Sequence, residues 1–421
     1  MAGSAERRRS LSWCARVLAS CALLLPPLAV FDPLALAPLF ALAAVAIVAL
    51  DRRALRDALR PLAPLALLLA LLAGLATLSA AWSIVPLHSF LEGLRLGAIA
   101  AGTLLLLAAA RAVDADERGR IAAAAAIGFG IAAALLLEEA ITGAALTRLV
   151  LHRETVPLQR FDRGATTLVL ALWPALVGAA WRAAIARAAL AVAALAAVFA
   201  LDSAGAALAI VAGLVAFALA WFAPRTVAVA LALGLAAIAI ALPVAAPGDR
   251  TVLALRHDAP WIKWSGIHRL LIWRFTADRI AERPLLGWGM DASRALPGGK
   301  TSFADLYPEA GLPSTAEALP LHPHDAALQW QVELGIPGTV LGLAIVAWGV
   351  WCAGAAPGLS RLTRAGALAW ATSALVIALL AYGAWQAWWL ASLALTAALL
   401  VTAAAGGTPA DSAGSPARHP P

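Results

Sequence analysis

Residues 321–338 read Leu321-His322-Pro323-His324-Asp325-Ala326-Ala327-Leu328-Gln329-Trp330-Gln331-Val332-Glu333-Leu334-Gly335-Ile336-Pro337-Gly338. Two imidazoles, two carboxylates and two amides stand here at the start of a long apolar run. Ionisable side chains at a membrane span are costly to bury, so they are rare there and mark functional sites. This stretch therefore predicts the start of a membrane span and, beside it, a candidate site.

The whole chain is too apolar for a water-soluble globule. Of its 421 residues, 62% are hydrophobic and only 13% are charged, whereas soluble domains are nearer half and a quarter. Runs of about 20 apolar residues, the length that spans a bilayer, recur along the chain. We predict an all-α polytopic membrane protein with about 12 transmembrane helices, at 13–31, 34–50, 62–82, 91–110, 121–141, 165–181, 188–202, 204–222, 226–246, 335–353, 365–382 and 385–403. Only Asp202 and Ser203 separate the seventh and eighth, so a single re-entrant hairpin is an alternative there.

The predicted spans divide the chain into four parts. Residues 1–246 hold helices 1–9 and an Arg-bearing loop at 142–164, and 247–334 form a large, partly helical loop. Residues 335–403 hold helices 10–12, and 404–421, rich in Ala, Gly, Pro and Ser, are predicted to be a disordered tail. The first helix follows three arginines and is expected to act as a signal anchor. A long loop in so apolar a chain is expected to fold as a cap over a site.

The arginines predict the orientation of the chain. They are frequent in alternate connections, whereas the short turns at 32–33, 83–90, 203 and 383–384 have none. Because cytoplasmic loops carry the excess of Lys and Arg, both termini are predicted to be cytoplasmic. The net charge of +7 then reflects topology, and nucleic acid is not a predicted partner. The loops at 142–164 and 247–334 carry arginines on the outer face, which suggests an anion such as phosphate there.

Four stretches carry a resemblance to a known family. They are Leu78-Ser79-Ala80-Ala81-Trp82-Ser83-Ile84-Val85-Pro86; Gln159-Arg160-Phe161-Asp162-Arg163-Gly164 with Leu172-Trp173-Pro174; Arg269-Leu270-Leu271-Ile272-Trp273 with Pro284-Leu285-Leu286-Gly287-Trp288-Gly289; and His324 to Gly338. In this order and spacing, over about residues 60–400, the chain resembles the O-antigen ligase family and its polymerase relatives. One departure is Asp325, where the family commonly has Asn, Ser or Gln.

The resemblance implies a glycosyltransferase of lipopolysaccharide biosynthesis in the bacterial inner membrane, with its active site in the periplasm. Such an enzyme moves a glycan from undecaprenyl diphosphate to a sugar hydroxyl, which for the ligases belongs to the lipid A core. It is surrounded by membrane lipids and uses neither a nucleotide nor a metal ion. A polysaccharide polymerase or a protein O-oligosaccharyltransferase of the same superfamily remains an alternative. A secondary transporter is an alternative of a different class, although transporters place their charges near the bilayer midplane.

His324 is the predicted catalytic base, because a neutral imidazole is the commonest general base near pH 7. Arg163, Arg269 and Arg160 are predicted to bind the diphosphate through guanidinium hydrogen bonds. These groups together favour a single displacement with inversion. The predicted supporting residues are His322, Asp325 and Trp273, and Asp325 would either raise the pKa of His324 or accept a hydrogen bond.

Structural interpretations stand beside each of these roles. His324 could cap the helix that follows it, and His322 could only orient the loop. Arg160 and Arg163 could be surface charges at lipid headgroups, paired with Asp162. His322, His324 and Asp325 are also possible metal ligands by type, but no third-ligand motif accompanies them. Glu92 and Arg95, three residues apart on a helix, are expected to form a structural ion pair, with steering of the lipid diphosphate as the alternative.

Overall fold

The computed structural model describes residues 12–48, 52–178, 184–259 and 261–404. Their regular structure is helical, apart from one isolated bridge between Ser302 and Glu317. The α-helices are α1 (Trp13–Phe31), α2 (Leu36–Val48), α3 (Arg52–Leu59), α4 (Ala63–Leu78), α5 (Pro86–Ala112), α6 (Ala115–Thr142), α7 (Ala145–Leu151), α8 (Asp162–Val177), α9 (Ala184–Ala200), α10 (Ala204–Phe222), α11 (Pro224–Ala245), α12 (Asp249–Asp258), α13 (Trp264–Glu282), α14 (Phe303–Leu306), α15 (Ala326–Ala355), α16 (Arg361–Leu380) and α17 (Ala387–Ala404).

Among the described residues, nine helices are long and apolar enough to cross a membrane: α1, α4 with its flanks, α5, α6, α10, α11, α15, α16 and α17. Two further apolar helices, Pro33–Val48 and Ala184–Ala200, are shorter. The prediction of an all-α polytopic membrane protein is confirmed, and the count of 12 spans stays a prediction. The seventh and eighth predicted spans form two separate helices, α9 and α10. The predicted signal-anchor arginines and all but the first residue of the predicted tail lie outside the described residues.

Helix α8 lies at the centre of the bundle, where every residue from Gly164 to Val177 is buried. It packs against α1, α6, α16 and α17. Gly164 allows the close approach of α1, since a Cβ there would lie 3.0 Å from the Ala29 carbonyl oxygen. The Trp173 indole donates a hydrogen bond to Ser373 Oγ on α16 at 3.1 Å. This packing fixes the N-terminal end of α8, which carries Arg163.

Helix α15 begins at Ala326, nine residues before the predicted span, and breaks at Gly335. Gly335 has φ 64° and ψ −155°, and Pro337 has no N–H to continue the helix ladder. The carbonyls of Val332 and Glu333 instead accept from the backbone N–H groups of Trp288, at 2.9 Å, and Gly289, at 2.8 Å. The segment 284–289 therefore docks into the break in α15.

The 78–86 motif holds the same segment from its other side. Met290 N donates to the buried Ser79 Oγ at 2.9 Å, and the Trp82 indole donates to the Leu286 carbonyl at 3.0 Å. Two of the sequence motifs, although about 200 residues apart in the chain, form one packed unit. Their role in the fold is to hold the N-terminal part of α15 in place.

The long loop at 247–334, predicted to be partly helical, is built around the 19-residue helix α13. One apolar cluster joins Ile272 to Leu296 and Val332, and another joins Ile267 to Phe303. On the outer face of α13, Arg274 pairs with Asp278 and Arg279 with Glu282, as expected for a solvated helix surface. The loop thus has its own core and carries Arg269 and Trp273 on α13.

Candidate functional site

The segment 321–325 lies between α13 and the turn 381–386, which joins α16 to α17. On one side, the Trp273 indole donates a hydrogen bond to the Pro323 carbonyl at 3.0 Å. On the other side, His324 Nδ1 lies 2.6 Å from the Ala381 carbonyl oxygen. Trp273 therefore contacts the segment that carries His322 and His324, and its supporting role stays a prediction. The turn 381–386 is a new component of the site.

The hydrogen bond to Ala381 determines the tautomer of His324. A carbonyl oxygen can only accept, so Nδ1 carries the hydrogen and Nε2 keeps its lone pair. His324 has a left-handed backbone with φ 58°, a conformation that is uncommon for residues other than glycine. Its backbone N–H donates to His322 Nδ1 at 3.2 Å, which stabilises this conformation. The geometry thus presents Nε2 of His324 as a proton acceptor.

Burial keeps both imidazoles neutral. It lowers the pKa of His324 to about 4, opposed by the hydrogen bond to Ala381 and reinforced by the charge of Arg269. It also lowers the pKa of His322 to about 3, and His324 and several arginines add to that effect. His322 Nε2 lies 3.3 Å from the Gln386 amide. His324 is therefore unprotonated at neutral pH.

Asp325 is the N-cap of α15, where its side chain accepts from Leu328 N at 2.8 Å. It is 2% exposed, and this burial raises its pKa to about 7 against the effect of the helix N–H groups. Of the two roles considered for Asp325, the geometry favours that of hydrogen-bond acceptor. The helix cap is Asp325 and not His324, so the capping interpretation of His324 is wrong.

Arg163 and Arg269 approach His322 and His324 (the His pair) from two different helices. Arg163, in the first turn of α8, places its guanidinium 5.3 Å from the centre of the Trp388 ring. Arg269 on α13 donates to the Ser265 carbonyl at 3.1 Å. Both positive charges contribute, after burial, to lowering the pKa of His322. The structure therefore brings together the predicted base and two of the predicted diphosphate ligands.

One donor of Arg269 is left open within this group. Its Nε atom is buried and has no hydrogen-bond partner in the described structure. Buried donors nearly always have a hydrogen-bond partner, so an unpaired donor indicates a position where a ligand or a water molecule binds. A phosphate oxygen is the partner that a guanidinium fork suits best.

Arg160 lies elsewhere. It is exposed on a short turn before α8 and its guanidinium donates to the Phe31 carbonyl at the end of α1, at 3.4 Å. The structure therefore does not place Arg160 in the group formed by His324, Arg163 and Arg269.

The turn 381–386 and the residues next to it are not among the predicted site residues. Tyr382 lies 3.2 Å from Thr166 of α8. Burial raises the pKa of Tyr382 to about 12, and the charges of Arg163 and Arg269 act against that effect. Gln386 contacts His322 and accepts from the Trp388 indole at 3.0 Å. In the sequence the turn is only a short arginine-free link between two spans. Its concentration of Tyr, Trp and Gln in an otherwise aliphatic region is the available signal.

Few side-chain atoms at the His pair and Asp325 are free to bind a metal ion. Nδ1 of His324, Nδ1 of His322 and one oxygen of Asp325 are already in hydrogen bonds. Elsewhere in the described residues, ligand atoms of His88, Glu92 and Asp291 lie within 4.8 Å of one another. Arg95 pairs with Glu92 in that group, as the sequence spacing predicts, and His88 bonds Asp291 at 2.9 Å. The Arg95 guanidinium already balances the charge of Glu92 in that group.

Comparisons with known proteins agree with the two later motifs, which lie within the matched range. Residues 189–343 match the family model described as O-antigen ligase, and this range includes Arg269 and His324. A Rickettsia conorii protein named "Putative polysaccharide ligase" is 35% identical over 132 residues, which are 30% of this chain and 29% of that protein. A like-named Rickettsia prowazekii protein is 33% identical over 135 residues, 30% of each chain. The chain thus aligns with about 30% of the length of these relatives. The resemblance to the O-antigen ligase family is confirmed.

Proposed function

From the match of residues 189–343 to the O-antigen ligase family, we propose that the chain is a glycosyltransferase of the polysaccharide ligase type. Its donor is a glycan on undecaprenyl diphosphate, and its acceptor is a sugar hydroxyl of the lipid A core. The reaction takes place at the periplasmic face of the bacterial inner membrane. The observation that carries the proposal is the approach of one free imidazole nitrogen and two guanidinium groups from separate elements.

His324 acts as the general base. Its Nε2 takes the proton of the acceptor hydroxyl as the hydroxyl oxygen forms a bond to the anomeric carbon of the donor. The Nδ1 hydrogen bond to Ala381 holds the ring in the tautomer that this step requires. The bond from the anomeric carbon to the diphosphate oxygen breaks on the opposite face of the sugar. This single displacement inverts the anomeric configuration and leaves no glycan on the enzyme.

Arg163 and Arg269 bind the leaving diphosphate. Negative charge grows on the phosphate oxygen that was bonded to the anomeric carbon as that bond breaks, and fixed donors aimed at such a charge lower the barrier. The unpaired Nε of Arg269 is available for this role, and the Trp388 ring holds Arg163 at a fixed place. After transfer, the imidazolium of His324 gives its proton to solvent, which returns the base to its starting state.

The test is transfer of glycan from an undecaprenyl diphosphate donor to lipid A core by the purified full-length protein, with EDTA present. We expect His324→Ala to lower kcat about 10²- to 10⁴-fold, and Arg163→Ala and Arg269→Ala to lower it about 10²- to 10³-fold each. Arg153→Ala, which removes an exposed arginine of the same outer loop, is the matched control and should transfer normally.

The outcome also separates the alternatives. Lengthening of the donor glycan without an added acceptor would identify a polymerase, and transfer to a protein side chain would identify a protein O-oligosaccharyltransferase. Passage of the intact donor across the membrane without transfer would identify a transporter. Full activity of the His324→Ala variant would overturn the assignment of the base.

A further inference from the structure

Glu333 is a completely buried carboxylate on α15 that the proposed reaction does not use. Its side chain is 0% exposed. Burying such a group away from water is costly unless hydrogen bonds compensate. Its neighbours should therefore reveal what the carboxylate stabilises.

Every hydrogen-bond partner of the Glu333 carboxylate is a donor, and the partners come from several separate segments. Oε2 accepts from the Trp385 indole at 2.6 Å and from Asp291 N at 2.8 Å. Oε1 accepts from the Ser293 hydroxyl and from the Gln329 amide, the latter at 3.1 Å. The carboxylate thus joins α15 to the segment 291–293 and to the turn 381–386.

The turn 381–386 is the segment that holds both imidazoles. Beside the contact of Trp385 with Glu333, Ala384 N donates to Gln329 Oε1 at 2.8 Å. At the ends of the same turn, the Ala381 carbonyl bonds His324 Nδ1 and the Gln386 amide contacts His322. Between them, Gly383 packs so closely that a Cβ would lie 3.0 Å from the His322 ring. Glu333 and Gln329 therefore set the position of the Ala381 carbonyl relative to His324.

We propose that Glu333 is a positioning residue: with Gln329, it holds the turn 381–386 so that the Ala381 carbonyl keeps His324 Nε2 free and directed at the acceptor hydroxyl. This inference rests on the proposed function of His324 as the base. Glu333 touches neither substrate in this scheme. It acts through Trp385 and Ala384 on the carbonyl that selects the His324 tautomer.

An amide at position 333 cannot replace the carboxylate. Its NH₂ group would face either the Trp385 indole and Asp291 N, or the Gln329 amide and Ser293 N. None of these N–H groups can accept a hydrogen bond. At least one of these hydrogen bonds would be lost and the turn would loosen. Exchanging the two residues, in Gln329→Glu with Glu333→Gln, restores a carboxylate–amide pair in reversed order. The carboxylate at position 329 would then accept from Ala384 N.

The experiment compares Glu333→Gln, the double exchange and Trp385→Phe in full-length protein in lipid nanodiscs. Two measurements are made: kcat and donor KM for glycan transfer, and backbone hydrogen exchange of 321–325 and 381–386. Gln331→Ala is the control, because Gln331 lies on the same helix but donates to the Ala239 carbonyl of α11.

For Glu333→Gln we expect kcat to fall about 10- to 100-fold, as for a small misplacement of a reacting group, with donor KM nearly unchanged. Exchange in 381–386 should become faster, and the double exchange should recover part of both effects. Trp385→Phe keeps an aromatic ring, although a smaller one, and removes one donor. It should give a smaller change in the same direction even if Glu333→Gln does not fold. Gln331→Ala should alter neither measurement.

Two results would overturn the inference. One is that Glu333→Gln changes kcat and exchange no more than Gln331→Ala does. The other is a fall in kcat with unchanged exchange at 381–386, which would make Glu333 a chemical participant. If the unmodified protein shows no transfer at all, the proposed function fails, whereas the exchange measurement still decides whether Glu333 holds the turn.

Discussion

At His324, a single hydrogen bond to a backbone carbonyl decides which ring nitrogen can take a proton. Ala381 lies 57 residues further along the chain and contributes no polar side chain. The sequence can therefore indicate an imidazole base at position 324 but not its tautomer or its partner. For the same reason the sequence shows the buried acceptor Glu333 as part of a polar cluster without indicating its role.

The low pKa of His324 predicts an unusual pH dependence of transfer. The base must be neutral, and burial lowers its pKa to about 4, so it stays neutral as the pH falls. At pH 5.5 about 97% of such an imidazole is unprotonated, against about 9% for one with the ordinary value near 6.5. We expect kcat/KM for the donor to be nearly constant between pH 8 and 5.5.

Asp325 is the neighbouring group that could confuse this measurement, since burial raises its pKa to about 7. Asp325→Asn removes that titration and keeps a good N-cap for α15. This variant should show the same flat profile. A loss of about tenfold centred near pH 6.5 in both proteins would show that His324 is exposed to water in the working enzyme.

At the level of helices, long apolar runs are sufficient to predict most spans, because their burial in lipid dominates all other preferences. The starts of α5 and α15 are predicted several residues late for a common reason. Polar residues lie between the start of each helix and the start of the predicted span, but their hydrogen bonds are satisfied inside the protein. Ser89 donates to the Met290 carbonyl, and Glu333 accepts from four donors. The short helix Ala145–Leu151 is missed because hydropathy gives no signal at that length.

The break in α15 predicts a sharp difference between two glycines of the same helix. Gly335 has a positive φ, and a Cβ there would meet the Leu285 carbonyl oxygen and lie 2.7 Å from Leu286 N. Gly349 has open space around it. We expect Gly335→Ala to abolish most folded protein, measured as the monodisperse fraction in detergent, because the segment 284–289 could no longer dock. Gly349→Ala should leave that yield unchanged, and equal yields would contradict the docking role of Gly335.

The packing of the 78–86 motif against Met290 gives a second prediction, which concerns the thermal stability of the fold. Ser79→Ala leaves the N–H of Met290 buried without its acceptor, and an orphaned buried donor costs about 1–3 kcal/mol. Thermal unfolding should show a lower midpoint than for Thr103→Ala. Thr103 bonds only a carbonyl within its own helix, so its loss leaves no such orphan. Equal midpoints would show that water reaches Met290.

In the whole molecule, the site is assembled from four stretches that are far apart in sequence. Three of them, around Arg163, Arg269 and His324, carry charged or titratable residues in recognisable spacing and could be predicted. The fourth, 381–386, has no charged residue, and its contact with His324 is made by a backbone carbonyl, so only its Tyr, Trp and Gln side chains could have indicated it. Arg160 is the contrary case. Its place in a motif predicts diphosphate binding, but its guanidinium contacts the end of α1, apart from that group, and the role stays a prediction.

The side of the membrane on which this site opens is the last prediction. The arginine distribution predicts that the loop 247–334 is outside and the start of α6 is inside. In a background with Cys14, Cys21 and Cys352 changed to Ala, single cysteines at Thr315 and Asp116, both exposed, report the two sides. A membrane-impermeant maleimide added to cells with a permeabilised outer membrane should label Thr315→Cys and leave Asp116→Cys unlabelled until the inner membrane is lysed. Both variants must label equally in detergent. The reverse pattern would place His324 on the cytoplasmic side, where a periplasmic ligase reaction could not use it.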